Sequence, residues 1–186
     1  MTLTKTFSTT PVFQWNYDAK ERIVINQGGT SSGKTYAILQ VLFLKLIERK
    51  RIATVVGQDI PNLKKGAMRD FEERILSQIP FFNQFIVGHN KTDRIWQLRN
   101  GSVLEFTSYK DGQDAKSGKR DIAFFNEANG IAWEVYNQVA MRTNEQIFID
   151  YNPTTSFWVH ERLIGQPETV VFYSNFTHNP FCDDEV

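Results

Sequence analysis

The chain has 186 residues, which suits one α/β domain with a proper hydrophobic core. A hydrophobic fraction of 41% and an aromatic fraction of 13% exclude a disordered chain. Basic and acidic residues balance at 21 each, which argues against permanent nucleic-acid binding by electrostatics alone. With one cysteine (Cys182), no signal-peptide core and no apolar stretch long enough for a bilayer, we expect a soluble protein of a reducing cytoplasm.

The first half of the chain alternates strand-like and helix-like segments. Residues 22–26 and 52–57 are β-branched runs and are predicted to be strands. Residues 34–51 lie between them and are predicted to form a helix that is buried on most sides, because few polar residues interrupt it before residue 47. Strand–helix–strand order favours a parallel pair. A second helix is expected to begin at Pro61.

The second half continues the same alternation. The Asn-Gly pair at 100–101 predicts a hairpin between strands at 94–98 and 102–108, and the polar segment 110–120 predicts a mobile loop. The remaining predicted elements are strands at 121–125, 146–150 and 169–173 and helices at 131–142 and 157–164. This order predicts one α/β domain, with a mostly parallel central sheet and helices on both faces.

Residues 28–35 match the phosphate-binding pattern G-x-x-x-x-G-K-[ST] in full, between a predicted strand and a predicted helix. Glycines let the backbone curl so that its N–H groups face phosphate oxygens, and the following helix adds the positive end of its dipole. Lys34 is expected to reach the β- and γ-phosphates of ATP, and the Thr35 hydroxyl to ligate Mg²⁺. The alternative is a chance match by a Gly/Ser-rich turn. The predicted nucleotide-binding residues of this loop are Gly28, Gly29, Thr30, Ser31, Ser32, Gly33, Lys34 and Thr35.

A second catalytic element is expected where the strand at 121–125 ends, because ligands of α/β sheets bind beyond the carboxyl ends of the strands. Glu127 is the predicted general base, placed to polarise the attacking water rather than to face solvent. Asn126 occupies the magnesium-side position, where the usual residue is Asp; its amide oxygen can still accept a hydrogen bond from a water bound to Mg²⁺. The alternative for Glu127 is an acid that only stabilises a helix start.

Two further segments offer polar groups to the nucleotide. Asn152 follows the strand at 146–150 and is a candidate sensor of the γ-phosphate, with ordinary Asn-Pro turn chemistry as an equal alternative. Lys116, Lys119 and Arg120 precede the Glu127 strand, and one of them is a candidate to stabilise transition-state charge in cis or toward a neighbouring subunit. Arg120 is the first choice of the three, and a solvated basic loop is the alternative.

Aromatic residues before the first strand are candidates for the adenine contact. Trp15 and Tyr17 could stack on the base, although ordinary core packing is the competing interpretation. The histidines and the cysteine have no metal-ligand spacing, and the acidic run at 183–185 is interpreted as a terminal tail rather than a nuclease metal site.

Four segments in this order resemble the phage terminase large subunit: INQGGTSSGKT, DIAFFNEAN, IFIDYNPTTSFWVHERL and FTHNPF. The resemblance extends from about Asn16 to Phe181. It implies a P-loop NTPase with an additional strand between the P-loop strand and the catalytic-Glu strand. It also implies an ATPase domain at 1–181, with 182–186 as the start of a linker and the nuclease half absent.

The resemblance further implies an ATP- and Mg²⁺-dependent motor that moves double-stranded viral DNA through a portal into a prohead. The implied partners are the portal protein, the small terminase subunit and further copies of the chain in a ring, all in the host cytoplasm. Two positions depart from the family pattern: Thr30 stands where many relatives have Arg, and Asn126 where Asp is expected. The first departure bears on the sensor role of position 30, and the second on the rate of hydrolysis.

Three functions stay open on the sequence alone. The first is an ATP-driven DNA translocase, and the second is another P-loop enzyme such as a helicase or a small-molecule kinase. The third is a nucleotide-binding assembly module with weak hydrolysis, which the neutral Asn126 motivates.

Overall fold

The computed structural model describes residues 7–153 and 155–181. Within them, the strands are β1 (Ile23–Gly28), β2 (Ile52–Gly57), β3 (Ile86–Asn90), β4 (Ile95–Leu98), β5 (Val103–Ser108), β6 (Arg120–Phe125), β7 (Thr143–Tyr151) and β8 (Thr169–Ser174). The α-helices are α1 (Pro11–Asp18), α2 (Lys34–Glu48), α3 (Ile60–Lys65), α4 (Ala67–Arg69), α5 (Trp133–Ala140) and α6 (Trp158–Arg162). A π-helix, Asp70–Leu76, continues α4.

The described strands form one sheet in the order β3-β4-β5-β2-β6-β7-β1-β8. Strand pairs from β5 to β8 are parallel, and β3 and β4 are added antiparallel at one edge. Strand β7 lies between β1, which leads into the P-loop, and β6, which leads into Glu127. The predicted α/β class and the additional strand are therefore confirmed.

Helices cover both faces of the sheet, as predicted. Helix α2 is the centre of one face, where Ile38, Leu42 and Phe43 are fully buried in the larger apolar cluster. Helices α5 and α6 cover the other face, with Val139 and Val159 buried in the second cluster. A sheet buried on both faces explains why its central strands are nearly continuous apolar runs.

Several boundaries differ from the sequence predictions. Helix α1 was not predicted, although Thr10 caps it and Pro11 starts it. Strand β3 was missed as well, because most of its residues are exposed or half-buried and show no clean alternation. The helix expected from Pro61 is interrupted at Gly66, whose φ of −105° and ψ of −106° are not helical, and then resumes as α4 and the π-helix.

No helix in residues 7–153 and 155–181 is both long and apolar enough to cross a membrane. Cys182, the acidic run at 183–185 and the predicted linker start at 182–186 lie outside the described residues.

Candidate nucleotide-binding site

The carboxyl ends of β1, β7 and β6 meet at one edge of the sheet. The parallel register pairs Asn26 with Asp150 and Phe125 with Ile149. Three chain segments leave these strands: the P-loop (residues 28–35), the Asp150–Asn152 segment and the Asn126-Glu127 pair. The topology therefore brings together residues that are more than a hundred positions apart in the sequence.

The P-loop backbone curls through two left-handed residues, Ser31 with φ of 65° and Gly33 with φ of 76°. A Cβ on Gly28 would lie 2.4 Å from the carbonyl oxygen of Ser174, so this position admits only glycine at the point where β1 packs on β8. Asn179 donates a hydrogen bond to the Ser31 carbonyl at 2.8 Å. The FTHNPF segment thus holds the loop from outside, whereas Thr30 is exposed to solvent.

Lys34 lies at the centre of the P-loop. Its Nζ donates to the carbonyls of Gly28 and Gly29 at 2.8 and 2.9 Å and to Asn152 Oδ1 at 3.1 Å. Burial lowers the pKa of the Lys34 ammonium, and the nearby carboxylates of Asp150 and Glu127 oppose that shift. Lys34, Asn152 and both acidic residues therefore share one edge of the sheet.

Asp150 is the central acidic residue of the site, and the sequence analysis missed it. Its Oδ2 accepts a hydrogen bond from the Thr35 hydroxyl at 2.5 Å, and its Oδ1 accepts one from the Glu127 backbone N–H at 2.7 Å. Burial raises the pKa of the Asp150 carboxyl, whereas these hydrogen bonds and Lys34 lower it. The available signal was its place at the end of a buried strand, where the ligand-binding residues of α/β sheets occur.

Asn126 and Glu127 lie beside Asp150. The Asn126 amide nitrogen is 3.1 and 3.3 Å from the two Asp150 oxygens and 3.3 Å from Thr35 Oγ1. Glu127 has a left-handed backbone, with φ of 53° and ψ of 55°, a conformation that is costly for a non-glycine residue and concentrated at functional sites. Its side chain is exposed. The expectation that it turns away from solvent is therefore wrong, because the strained turn projects it from the sheet edge.

Arg120 does not reach this edge. It begins β6, so its Cα is about 20 Å along the strand from that of Asn126. The residue is 2% exposed, and its guanidinium contacts Tyr109 and the carbonyls of Ser117 and Gly118. The first choice for a transition-state arginine is therefore wrong. Lys116 and Lys119 are exposed in the same loop and remain the candidates for a contact with a neighbouring subunit.

The loop before β6, which was predicted to be mobile, packs in part against the domain. It contains a 3₁₀ turn, Asp114–Lys116, and buries the Ala115 side chain completely. It also lines a cleft of 390 Å³ together with α5.

One of the two predicted adenine contacts, Tyr17, lies far from the P-loop. Tyr17 donates a hydrogen bond to Glu48 at the carboxyl end of α2, about 20 Å along that helix from Lys34. Trp15 packs edge-on against His178 at 5.1 Å and thereby supports the FTHNPF segment. The placement of Tyr17 is incompatible with a base bound beside the P-loop, whereas the adenine contact of Trp15 stays a prediction.

A different cleft, of 540 Å³, adjoins the P-loop directly. Gly33 and Tyr36 form its wall at the start of α2, and Arg74 and Asn179 contribute polar groups. The other lining residues are Phe7, Ser8, Thr10, Gln78, Ile79, Pro80, Phe81 and Phe181. A cleft lined by aromatic rings and by hydrogen-bonding side chains in similar number can hold a nucleobase and a ribose.

The donor set fits a magnesium ion shared with a nucleotide. Thr35 and Asp150 present hard oxygen atoms next to the phosphate cradle. In residues 7–153 and 155–181, no group of three or more His, Cys, Asp or Glu side chains is placed to hold a metal. Mg²⁺ needs no such cage, because it is commonly held by one or two carboxylates together with waters and substrate phosphates.

Comparisons with known proteins identify the family and the fold of the chain. A family model described as phage terminase large subunit matches residues 20–186. The chain belongs to the phage terminase large subunit family. The comparison with curated protein sequences finds no significant match.

The fold is that of the ATPase domains of this terminase family. The large terminase of a thermophilic bacteriophage matches with a TM-score of 0.79 at 14% identity, over 97% of this chain and 49% of that chain. The large terminase ATPase domain of Thermus phage P74-26 matches with a TM-score of 0.70 at 12% identity, over 90% and 81%. The amino-terminal domain of the bacteriophage phi29 DNA packaging ATPase gives 0.61 at 15% identity, over 94% and 98%. The chain thus spans about half the length of the thermophilic phage terminase.

Proposed function

We propose that this chain binds and hydrolyses ATP with Mg²⁺ and that the hydrolysis drives packaging of double-stranded viral DNA. The observation behind the proposal is the convergence of Lys34, Thr35, Asp150 and Glu127 at one sheet edge. The large terminase of the thermophilic bacteriophage, which shares the fold, was solved with ADP and with ATP-γ-S.

Each residue of the site has a defined task in this proposal. The P-loop N–H groups and Lys34 bind the phosphates, for which Lys34 exchanges its carbonyl contacts for phosphate oxygens. Thr35 offers its oxygen to the metal. Glu127 orients the attacking water from its position on the rim of the site. A bound Mg²⁺ would neutralise the charge that develops on the phosphates.

The base and ribose are assigned to the cleft beside Gly33. Tyr36 is the aromatic residue closest in sequence to the P-loop, three positions after Gly33, and its ring can face a base that extends from the phosphates. Arg74 and Asn179 are placed to bind ribose or the base edge. This assignment replaces Tyr17, which lies at the far end of α2.

Asn152 is proposed to transmit the loss of phosphate. Its Oδ1 accepts from Lys34, so any movement of Lys34 toward a phosphate releases it. The segment that follows leads into α6, where Trp158 donates to the Ile131 carbonyl at 2.7 Å. A shift at Asn152 can therefore reach the region after Glu127 through packed elements.

The wider role rests on family membership. We propose a domain at 1–181 that acts as a ring of copies on the portal, with the small terminase subunit as a further partner, in the host cytoplasm. A steady-state phosphate-release assay with ATP, Mg²⁺ and double-stranded DNA tests the enzymatic part. Turnover above the background of a Lys34→Ala control supports it, and nucleotide binding without turnover would favour an assembly module instead.

A further inference from the structure

The expected magnesium site lies beside two neighbouring strand ends, and only one of them has a buried acidic residue. In P-loop ATPases the metal is held by the P-loop Ser or Thr and by an Asp at the end of a neighbouring strand. In this chain the end of β6 has the neutral Asn126, whereas the end of β7 has Asp150. The register between β6 and β7 places the two side chains next to each other.

The hydrogen bonds assign different roles to the pair. Thr35 directs its hydroxyl proton to Asp150 at 2.5 Å, and its oxygen accepts a hydrogen bond from the Asn126 amide, which leaves one lone pair of the Thr35 oxygen for a cation. The Asn126 amide nitrogen points at both Asp150 oxygens. Turning the Asn126 amide over would place its oxygen against a carboxylate, which is repulsive. Asn126 is thus held as a hydrogen-bond donor, and its oxygen is turned away from the Asp150–Thr35 pair.

We propose that the Asp150 carboxylate, and not the Asn126 side chain, positions the magnesium site. The acidic residue of the site therefore stands at the end of β7 instead of the end of β6. The inference rests on the proposed ATP-binding function. Asp150 acts as a positioning residue through Thr35 and through metal-bound water, and Asn126 holds it in place.

Burial supports the assignment. Asp150 is 1% exposed, and an isolated carboxylate at that depth is costly unless hydrogen bonds or a cation compensate it. Thr35, Asn126 and the Glu127 backbone supply the hydrogen bonds. The Lys34 ammonium supplies part of the opposite charge, and a divalent cation beside Thr35 would add to it. The carboxyl end of β6 offers no comparable carboxylate, because Asn126 is neutral and the Glu127 side chain is exposed on the rim.

The test measures the affinity of the 186-residue chain for ATP-γ-S by calorimetry, with Mg²⁺ and with EDTA. The wild type should bind more tightly with Mg²⁺. Asp150→Asn should reduce this magnesium-dependent gain about 10- to 100-fold while the affinity in EDTA is unchanged. The exchange variant Asn126→Asp/Asp150→Asn, which keeps one carboxylate and one amide, should recover most of the gain.

A second variant keeps the proposal testable if Asp150→Asn does not fold, as judged by circular dichroism. Asp150→Ser keeps a hydroxyl oxygen but removes the carboxylate, and it should lose the magnesium-dependent gain as Asp150→Asn does. Full retention of the gain in a folded Asp150→Asn or Asp150→Ser variant overturns the assignment. Absence of ATP-γ-S binding by the wild type would instead refute the proposed nucleotide function.

Discussion

The hydroxyl of Thr35 and the carboxylate of Asp150 lie 2.5 Å apart although 115 positions separate them in the sequence. This contact joins the amino-terminal end of α2 to the carboxyl end of β7. Together with the hydrogen bond from the Glu127 backbone to Asp150, it fixes the P-loop relative to the segment that bears the proposed base. Asp150 is therefore the residue around which the site is organised.

Lys34→Ala should abolish measurable ATP binding, because the variant lacks the cation that faces the phosphates. Lys45→Ala is the matched control, since Lys45 is a partly buried lysine of the same helix that lies against Tyr17. Calorimetry measures affinity and circular dichroism checks the fold. Micromolar ATP affinity in a folded Lys34→Ala protein would contradict the assignment of Lys34 as a phosphate contact.

Gly28→Ala should destabilise the fold by about 1–3 kcal/mol, because the added methyl group would collide with the Ser174 backbone. Gly29→Ala is the control, since a Cβ there meets no atom within 4 Å, and it should change stability by less than about 0.5 kcal/mol. Urea unfolding monitored by tryptophan fluorescence gives both values. Equal stability of the two variants would refute the close approach of β1 and β8.

Tyr36→Ala should lower the affinity for ATP about tenfold, because base–aromatic stacking contributes about 1–3 kcal/mol. Affinity for inorganic tripolyphosphate should stay the same, since that ligand has no base. Tyr17→Ala should alter neither affinity. A reversed pattern, with loss only in Tyr17→Ala, would return the adenine contact to the residue that the sequence suggested.

Arg120→Met should retain ATP turnover, because Arg120 lies at the opposite end of β6 from Asn126. The variant should lower the free energy of unfolding by about 1–3 kcal/mol, because it removes the hydrogen bonds of the buried guanidinium to Tyr109, Ser117 and Gly118. Phosphate release and thermal unfolding measure the two effects. A fall in turnover of about 10³ in the folded variant would restore Arg120 as a transition-state residue.

The sequence predicted the parts of the site that depend on local pattern. The P-loop, its buried helix and the strand before Glu127 were all found, because motif spacing and apolar runs are local signals. Asp150 was missed because its importance comes from the parallel pairing of β6 with β7, which no single segment reveals.

The sequence also did not reveal the direction in which β6 and α1 run. Arg120 is close to Glu127 in the chain, but Arg120 begins β6 and Glu127 follows its carboxyl end, so the two residues lie at opposite ends of that strand. Tyr17 precedes β1 closely, yet helix α1 directs it toward Glu48. Both misplacements arise because proximity along a strand or helix is not proximity in space.

The most direct measurement for the ATPase proposal is phosphate release by Glu127→Gln, with ATP affinity measured on the same protein. The amide keeps the size of the side chain but cannot accept the proton from water, so turnover should fall about 10²- to 10⁴-fold while ATP still binds. Glu134→Gln, an exposed glutamate on α5, should behave as the wild type. Wild-type turnover in Glu127→Gln would show that the carboxylate at the β6 end is not the base and would contradict the proposed mechanism.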